Sequence, residues 1–170
     1  MAYALLNARI YDYDKYEDNG YIVFEDKIIK KGKMVDYINS GYEEFDLMGK
    51  LVIPAFVCGH THLYSTFARG MSFEFNPHNF VDILKQLWWK VDHFLDHDLI
   101  YYSSLIGGLN QLSFGTTILI DHHASGQVRG SLELVKKALV NRLGLRCVTA
   151  FETSDRYDVD EAISENVAGF

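Results

Sequence analysis

A chain of 170 residues that is 48% hydrophobic is long and apolar enough for one globular domain with a real core, and it need not be disordered. Its formal charge of −7 argues against nucleic acid as a partner, because phosphate binding needs a basic face. No apolar run approaches the roughly 18 residues a transmembrane helix needs, and residues 1–10 have neither the basic start nor the long apolar centre of a signal peptide, so the expectation is a cytoplasmic chain with no membrane partner. The only cysteines, Cys58 and Cys147, fall in segments expected to be buried strands and read as small hydrophobes without a disulfide.

Residues 1–50 read as a β unit. Residues 4–11 are extended in character, Asp18-Asn19-Gly20 is a turn signal, and residues 21–25 and 28–30 are β-rich segments on either side of Asp26-Lys27. Gly32, Gly41 and Gly49 punctuate the remainder, with a further strand expected at 43–47. Lys27, Lys30, Lys31 and Lys33 read as a solvated strand edge rather than a binding patch.

The nearly unbroken apolar run 51–58 predicts a strand buried on both faces, ending in His60-Thr61-His62. From there strands alternate with amphipathic helices. Asn76-Pro77 offers a helix cap and first position, and Phe80, Ile83, Leu84, Leu87, Trp88, Val91, Phe94 and Leu95 fall at helical spacing with one buried stripe. A second helix is expected over 98–112, closed by Gly115, with Gly107 and Gly108 marking close packing. Residues 116–120 form the next strand, ending in Asp121-His122-His123. Ser131 then caps a helix carrying Leu132, Val135, Ala138, Leu139 and Leu143, which Gly144 stops. Residues 145–151 form a third strand, ending in Glu152-Thr153. Asp158 and Glu161 stand at capping-box spacing before a helix that uses Val159, Ile163, Val167 and Phe170.

Three strands alternating with helices predict parallel βαβ units, and after each strand's C-terminal end the polar and ionisable residues gather, on the rim where such folds place their chemistry. About 120 residues follow the β unit, against roughly 250 for a complete (β/α)8 barrel. The expected fold is therefore α/β: an N-terminal β unit followed by about the first three βα repeats, the N-terminal piece of a longer protein.

His60 and His62, at i and i+2 on an extended chain, point to the same side, so both imidazoles can reach one ion. The competing reading is two satisfied or exposed histidines; the Pro-initiated strand before them and the polar, Gly-containing loop after them favour the metal. On the same rim, His122 and His123 are candidates to line a substrate pocket. Glu152 reads as either a site carboxylate or a capping or salt-bridge partner, Trp89 as a pocket wall, and Arg69 as either an orienter of an anionic substrate or a partner for a carboxylate. His93 and His97 lack an HExxH context and read as solvated helix residues; no Walker loop, dinucleotide glycine motif or GxSxG elbow is present.

Gly49-Lys50-Leu51-Val52-Ile53-Pro54 followed by Phe56-Val57-x-x-His60-Thr61-His62, after a small β unit, resembles the amidohydrolase superfamily of metal-dependent hydrolases. Arg69-Gly70-Met71, Leu87-Trp88-Trp89, Asp121-His122-His123-Ala124-Ser125, Gly144-Leu145-Arg146 and Phe151-Glu152-Thr153-Ser154-Asp155-Arg156 are similar to the SsnA-like aminohydrolases of its chlorohydrolase and deaminase branch. One departure is Pro54-Ala55 where the family usually has Pro-Gly, which fits only if Ala55 keeps a negative φ.

The resemblance implies that residues 1–50 belong to a composite β-sandwich and residues 51–170 to the first part of a TIM-like hydrolase barrel. It also implies a divalent metal, zinc or else iron, held by His60 and His62. The remaining ligands and the acid–base residues would come from later strands outside this sequence, leaving residues 1–170 inactive alone. The implied reaction is hydrolysis of a C–N bond, a deamination of a small nitrogenous or heterocyclic substrate by metal-activated water, in a homo-oligomeric full-length protein. Two alternatives stand beside it: a dechlorinase or cyclic amidase of the same superfamily, and a non-catalytic α/β module that self-associates through its sheet edges.

Overall fold

The computed structural model describes residues 1–72 and 74–169. Its contacts divide the chain into two compact units, Met1–Ala55 and Phe56–Phe170. The division falls five residues beyond the expected boundary at 50, because the run 51–58 is not one strand. Leu51–Val52 (β5) pairs in parallel with Arg9 and Ile10 of the first unit, whereas Phe56–Thr61 (β6) joins a different sheet. Pro54 lies in the break, where it has no N–H to give to either ladder. Ala55 is not among the residues with positive φ.

In the first unit, Tyr3–Tyr11 (β1) is central. It runs antiparallel to Tyr16–Phe24 (β2), which pairs with Ile28–Lys33 (β3), and parallel to Glu43–Asp46 (β4) and β5. Ala4 packs with Tyr21 and Val23, yet Ala8 and Ile10 pack with Ile22 on the opposite face. Simple alternation would put Ala4, Ala8 and Ile10 together. An irregularity between Leu5 and Ala8, with Asn7 at φ 51°, reverses the phase. Asn7 is held there by a bond from its Nδ2 to Asp46 Oδ1 (3.0 Å) and one from Gly49 N to its carbonyl (2.7 Å).

The expected turn at Asp18-Asn19-Gly20 is instead part of β2. Gly20 is needed for close packing, since a Cβ there would meet Ile10 Cδ1 at 2.7 Å and Gly32 O at 2.9 Å. The chain reverses earlier, where Asp12 Oδ1 accepts from the amides of Asp14 (3.2 Å) and Lys15 (2.8 Å). Lys31 pairs with Asp12, and Lys27, Lys30, Lys31 and Lys33 are all exposed.

In the second unit, β6, Thr116–His123 (β7) and Arg146–Phe151 (β8) form a parallel three-stranded sheet in that order. The first helical region comprises Phe80–Ile83 (α1), a π-helical segment Leu84–Trp88, and Trp89–His93 (α2). Its cap is Asn79, whose side chain accepts from Asp82 N, rather than the expected Asn76. His97–Ser113 (α3) is capped by Asp96, and Ser131–Lys136 (α4) continues into a π-helical segment, Lys137–Arg142.

Leu119 of β7 meets Leu63, Tyr64, Ile100, Val135, Leu139 and Leu145 in the main core. Gly107 and Gly108 let α3 approach it: added Cβ atoms would lie 2.7 Å from Leu63 Cδ2 and 2.6 Å from Leu139 Cδ2. Within residues 1–170 the other face of the sheet is uncovered, with Val57 (58%), Ile120 (46%) and Val148 (63%) exposed, so this chain by itself covers only one of the two faces that the composition of the first strand implies are buried. Among the described residues, β6 and β8 are the edges of this sheet, and no helix is long and apolar enough to cross a membrane.

Val159–Ala168 (α5) begins at Asp158, whose side chain accepts from Glu161 N. Its expected apolar stripe is outside: Val159, Ile163 and Val167 are exposed, while Ala162 and Glu165 are buried; Phe170 lies outside the described residues. The helix is turned by its polar contacts. Asn166 Oδ1 accepts from Phe151 N (2.8 Å) and its Nδ2 donates to Phe151 O (3.0 Å), so one side chain occupies both backbone groups at the end of β8. Glu165 accepts from Gly130 N and Leu132 N, each at 2.8 Å, and from Ser131 Oγ. Ser131 therefore does not cap α4; the acceptor arrives from α5, beside the helix's positive end.

Glu165→Ala leaves these donors buried without an acceptor. It should cost about 2–4 kcal/mol of unfolding free energy, measured by denaturant titration, whereas the exposed Ile163→Ala should cost under ~0.5 kcal/mol.

Candidate metal centre

The parallel pairing brings the C-terminal ends of β6, β7 and β8 to one edge. Thr61 is paired with Asp121, so the residues that follow β6 lie beside the last residues of β7. His60 and His62 converge there, their Nε2 atoms 2.9 Å apart and their rings nearly perpendicular. The other nitrogen of His62, Nδ1, lies 3.0 Å from the carbonyl oxygen of His122. A carbonyl can only accept, so Nδ1 donates, which leaves Nε2 as the ring nitrogen that faces His60. An outer bond of this kind is what orients a histidine that ligates a metal.

Two nitrogens aimed at one point, with the outer nitrogen tied to backbone, fit a divalent ion that accepts imidazole ligands. Among the described residues no group of three or more His, Cys, Asp or Glu side chains is placed to hold one. The residues present thus supply two donors.

His122 stands on the exposed face, its ring 5.3 Å from that of His62. Burial, followed by the neighbouring His62, pushes its pKa down, and its Nδ1 is buried without a hydrogen-bond partner. His123, the next residue of the strand, points the opposite way. It is fully enclosed between Tyr64 and Phe151 with Nε2 3.1 Å from Ser125 Oγ, and burial pushes it down to about 3. The expectation of a pocket-lining role therefore places His122 on the open face and His123 inside.

Glu152 is engaged by Arg156, through Nη2 at 2.7 Å and Nε at 3.0 Å, and by Ser154 Oγ at 2.7 Å. Burial works upward on its carboxyl but is outweighed by these bonds, which hold it below the usual range. Arg156 also reaches the buried Asp92, Nη2 to Oδ2 at 3.0 Å, and stacks against Trp89 and Tyr157 with its guanidinium carbon 5.0 and 4.9 Å from the ring centroids. Asp92 is 1% exposed, and burial pushes it upward despite the guanidinium.

Trp88 packs on the main core while Trp89 lies over Arg156. Arg69 is exposed on the wall of a separate cleft of about 430 Å³ that also includes His62, Thr66 and Asn110. Sequence reading passed over Asp92, Arg156 and Tyr157. Only the i, i+4 spacing of Glu152 and Arg156 hinted at their pairing, since Asp92 is 64 positions from Arg156.

Asp121 was also missed as a contact. It is 1% exposed, on the helix-facing side of β7, and its Oδ1 accepts from Leu63 N at 2.9 Å. Burial drives its pKa up to about 7, against the opposing effect of that amide.

The model of the amidohydrolase family matches residues 51–170. The chain is 27% identical over 157 residues to a 5-methylthioadenosine/S-adenosylhomocysteine deaminase of Thermococcus sibiricus, covering 84% of this chain and 34% of that protein. It is 29% identical over 152 residues to a 5'-deoxyadenosine deaminase of Methanobrevibacter smithii, covering 88% and 32%. The chain thus spans about a third of the length of these curated relatives. Its fold is similar, at TM-score 0.73 and 21% identity over 86% of this chain and 35% of the other, to an atrazine chlorohydrolase variant of Arthrobacter aurescens TC1 solved with zinc and atraton.

His123 supplies a pH test. Its folded pKa lies below the unfolded value of 6.5, so the stability linked to its neutral form is fully present above about 6.5 and is lost as pH falls toward about 3. The melting temperature of the wild-type protein should therefore fall relative to that of His123→Phe as pH drops through this window, measured by calorimetry at constant ionic strength.

Proposed function

Because this chain belongs to the amidohydrolase family, we propose that it is part of a metal-dependent hydrolase that deaminates a small nitrogenous substrate at a C–N bond. The observation that carries this reading is the convergence of His60 and His62 Nε2, with His62 Nδ1 tied to the carbonyl of His122. His60 and His62 are the ligands this chain gives to a divalent ion, zinc by preference, because imidazole nitrogens suit it and a solved neighbour holds it. When bound, such an ion supplies Lewis acidity that lets water act as a nucleophile near neutral pH.

The chain's own residues do the rest of the positioning. His122, whose pKa burial pushes down, presents its ring beside His62 and suits contact with a planar substrate. Glu152, held ionised by Arg156, accepts hydrogen bonds, and Trp89 covers the cation that fixes it. His123 acts from behind by supporting the strand end, and Arg69 belongs to the neighbouring cleft. The overall reaction replaces a substrate amino group with oxygen from water and releases ammonia. The names of the two sequence relatives favour 6-amino purine nucleosides as the first substrates to try.

In the same reading, β6, β7 and β8 are the first three strands of a (β/α)8 barrel, and the first unit is part of a composite β-sandwich. The exposed Val57, Ile120 and Val148 face the barrel interior, and further strands adjoin the edges of β6 and β8. We extend the proposal to a cytoplasmic homo-oligomer whose intact native mass lies well above 19.5 kDa.

In the full-length protein, His62→Ala should lower bound zinc by at least about tenfold and abolish ammonia release from 5'-deoxyadenosine, measured by metal analysis and a coupled ammonia assay. Unchanged metal content would overturn the ligand assignment. Residues 1–170 expressed alone, with two donors where a catalytic zinc takes about three, should show no metal-dependent turnover; a rate that vanishes in His60→Ala would contradict this.

A further inference from the structure

We infer that Asp121 is a positioning residue for the metal site, a role that rests on the assignment of His62 as a ligand. Consecutive residues of β7 grip consecutive residues at the end of β6: His122 O accepts from the ring of His62, and Asp121 Oδ1 accepts from the amide of Leu63. The first bond fixes the orientation of the imidazole about its own axis. The second fixes the backbone on which that imidazole stands, at the point where the extended strand turns into the 3-10 segment Leu63–Ala68.

His62 itself has φ −133° and ψ 76°, a conformation that neither the strand nor the following turn maintains. The amide of Leu63 is the next group along, and a side chain supplies its acceptor in place of the β6–β7 ladder. Freed from that bond, the backbone at His62 can leave this φ and ψ, and its Cα shifts and carries the imidazole away from His60.

Asp121 is also placed to be held itself. It is 1% exposed, and its second oxygen, Oδ2, is buried without a partner. Its paired residue on β8 is Thr149, whose Oγ1 is likewise buried and unpartnered. Alternation puts both side chains on the helix-facing side. A hydroxyl and a carboxyl oxygen, each lacking a partner at paired positions, can satisfy one another by a rotation of Thr149 or through a water. The carboxyl would then link all three strands: β8 through Thr149, β7 through its own backbone, and β6 through Leu63.

A carboxyl oxygen that serves only as an acceptor for Leu63 N can be replaced by an amide oxygen. Asparagine keeps that acceptor and turns an NH2 donor toward Thr149; alanine removes both. The experiment uses the full-length protein. Zinc affinity is measured by chelator competition, alongside the melting temperature of the metal-free protein, for wild type, Asp121→Ala, Asp121→Asn and His62→Ala. Asp121→Ala should weaken zinc binding by about 10- to 100-fold, with Asp121→Asn within about threefold of wild type. Asp121→Ala that lowers the metal-free melting temperature but binds zinc as wild type does would overturn the inference, leaving Asp121 a purely structural residue.

If Asp121→Ala does not fold, Asp121→Ser replaces it. Serine keeps a polar group near Thr149 but is too short to reach the amide of Leu63, and the same two outcomes decide. His62→Ala separates the two levels of the proposal. Undiminished zinc binding in that variant sinks the ligand assignment itself, whereas a loss there together with normal binding in Asp121→Ala sinks only the positioning role.

Discussion

The hydrogen bond from His62 Nδ1 to the carbonyl of His122 joins positions 60 residues apart, and it exists only in one register of β6 against β7. A slip of one residue would reverse the faces of every side chain on the slipped strand. A slip of β6 would turn His60 and His62 toward the helices, and a slip of β7 would turn His123 to the open face. The register is specified by the core behind the sheet, where Cys58, Leu119 and Cys147 face the helices that carry Ile100, Val135 and Leu139. Between Cys58 and Thr61 the pairing with β7 shifts register, so His60 and His62 leave the helix-facing side that plain alternation from Cys58 would give them; core burial and this irregularity together set their direction. The directional bond to His122 refines an orientation already chosen.

Beside that rim the wall is organised around a cation. Arg156 holds two carboxylates and lies against two aromatic rings, and each partner depends on it differently. Asp92 is almost wholly buried, so without the guanidinium it would be a desolvated carboxyl with little compensation, a more damaging state than loss of a surface pair. Glu152 is more open and gains from Arg156 chiefly a fixed position and a secure charge. The segment Leu84–Trp88 contributes by being π-helical. Its extra residue per turn shifts the phase of the next turn of helix, so that Trp88 enters the core while Trp89 and Asp92 meet Arg156.

Much of this was legible in the sequence because it is local. The helical spacing from Phe80 to Leu95, the alternation of strands with helices after residue 51, and the shared side of His60 and His62 all arise from period and chain geometry. The failures were places where a distant residue overrode a local signal. Asp18-Asn19-Gly20 has turn composition, but Gly20 is small because Ile10 and Gly32 crowd it. Ser131 looks like a cap, but Glu165 supplies the acceptor. The stripe of Val159, Ile163 and Val167 looks buried, but Asn166 and Glu165 make polar contacts that rotate α5 the other way. The pairing of Asp92 with Arg156 left no local trace at all.

The adjacency of His122 and His123 shows how far a strand can separate identical side chains. Both imidazoles lose solvent, and both are pushed toward the neutral form, yet one is closed between Tyr64 and Phe151 while the other keeps a face beside His62. Their chemistry diverges through alternation alone. The same logic applies one position earlier, where Asp121 faces the helices and still touches the residue after a proposed ligand, because the chain turns as it leaves β6. The open face of β7 therefore contributes a ring and a carbonyl to the candidate centre, and its hidden face contributes a carboxyl that steadies the backbone beneath it. A sheet with only one open face can in this way use both faces to place the side chains at its rim.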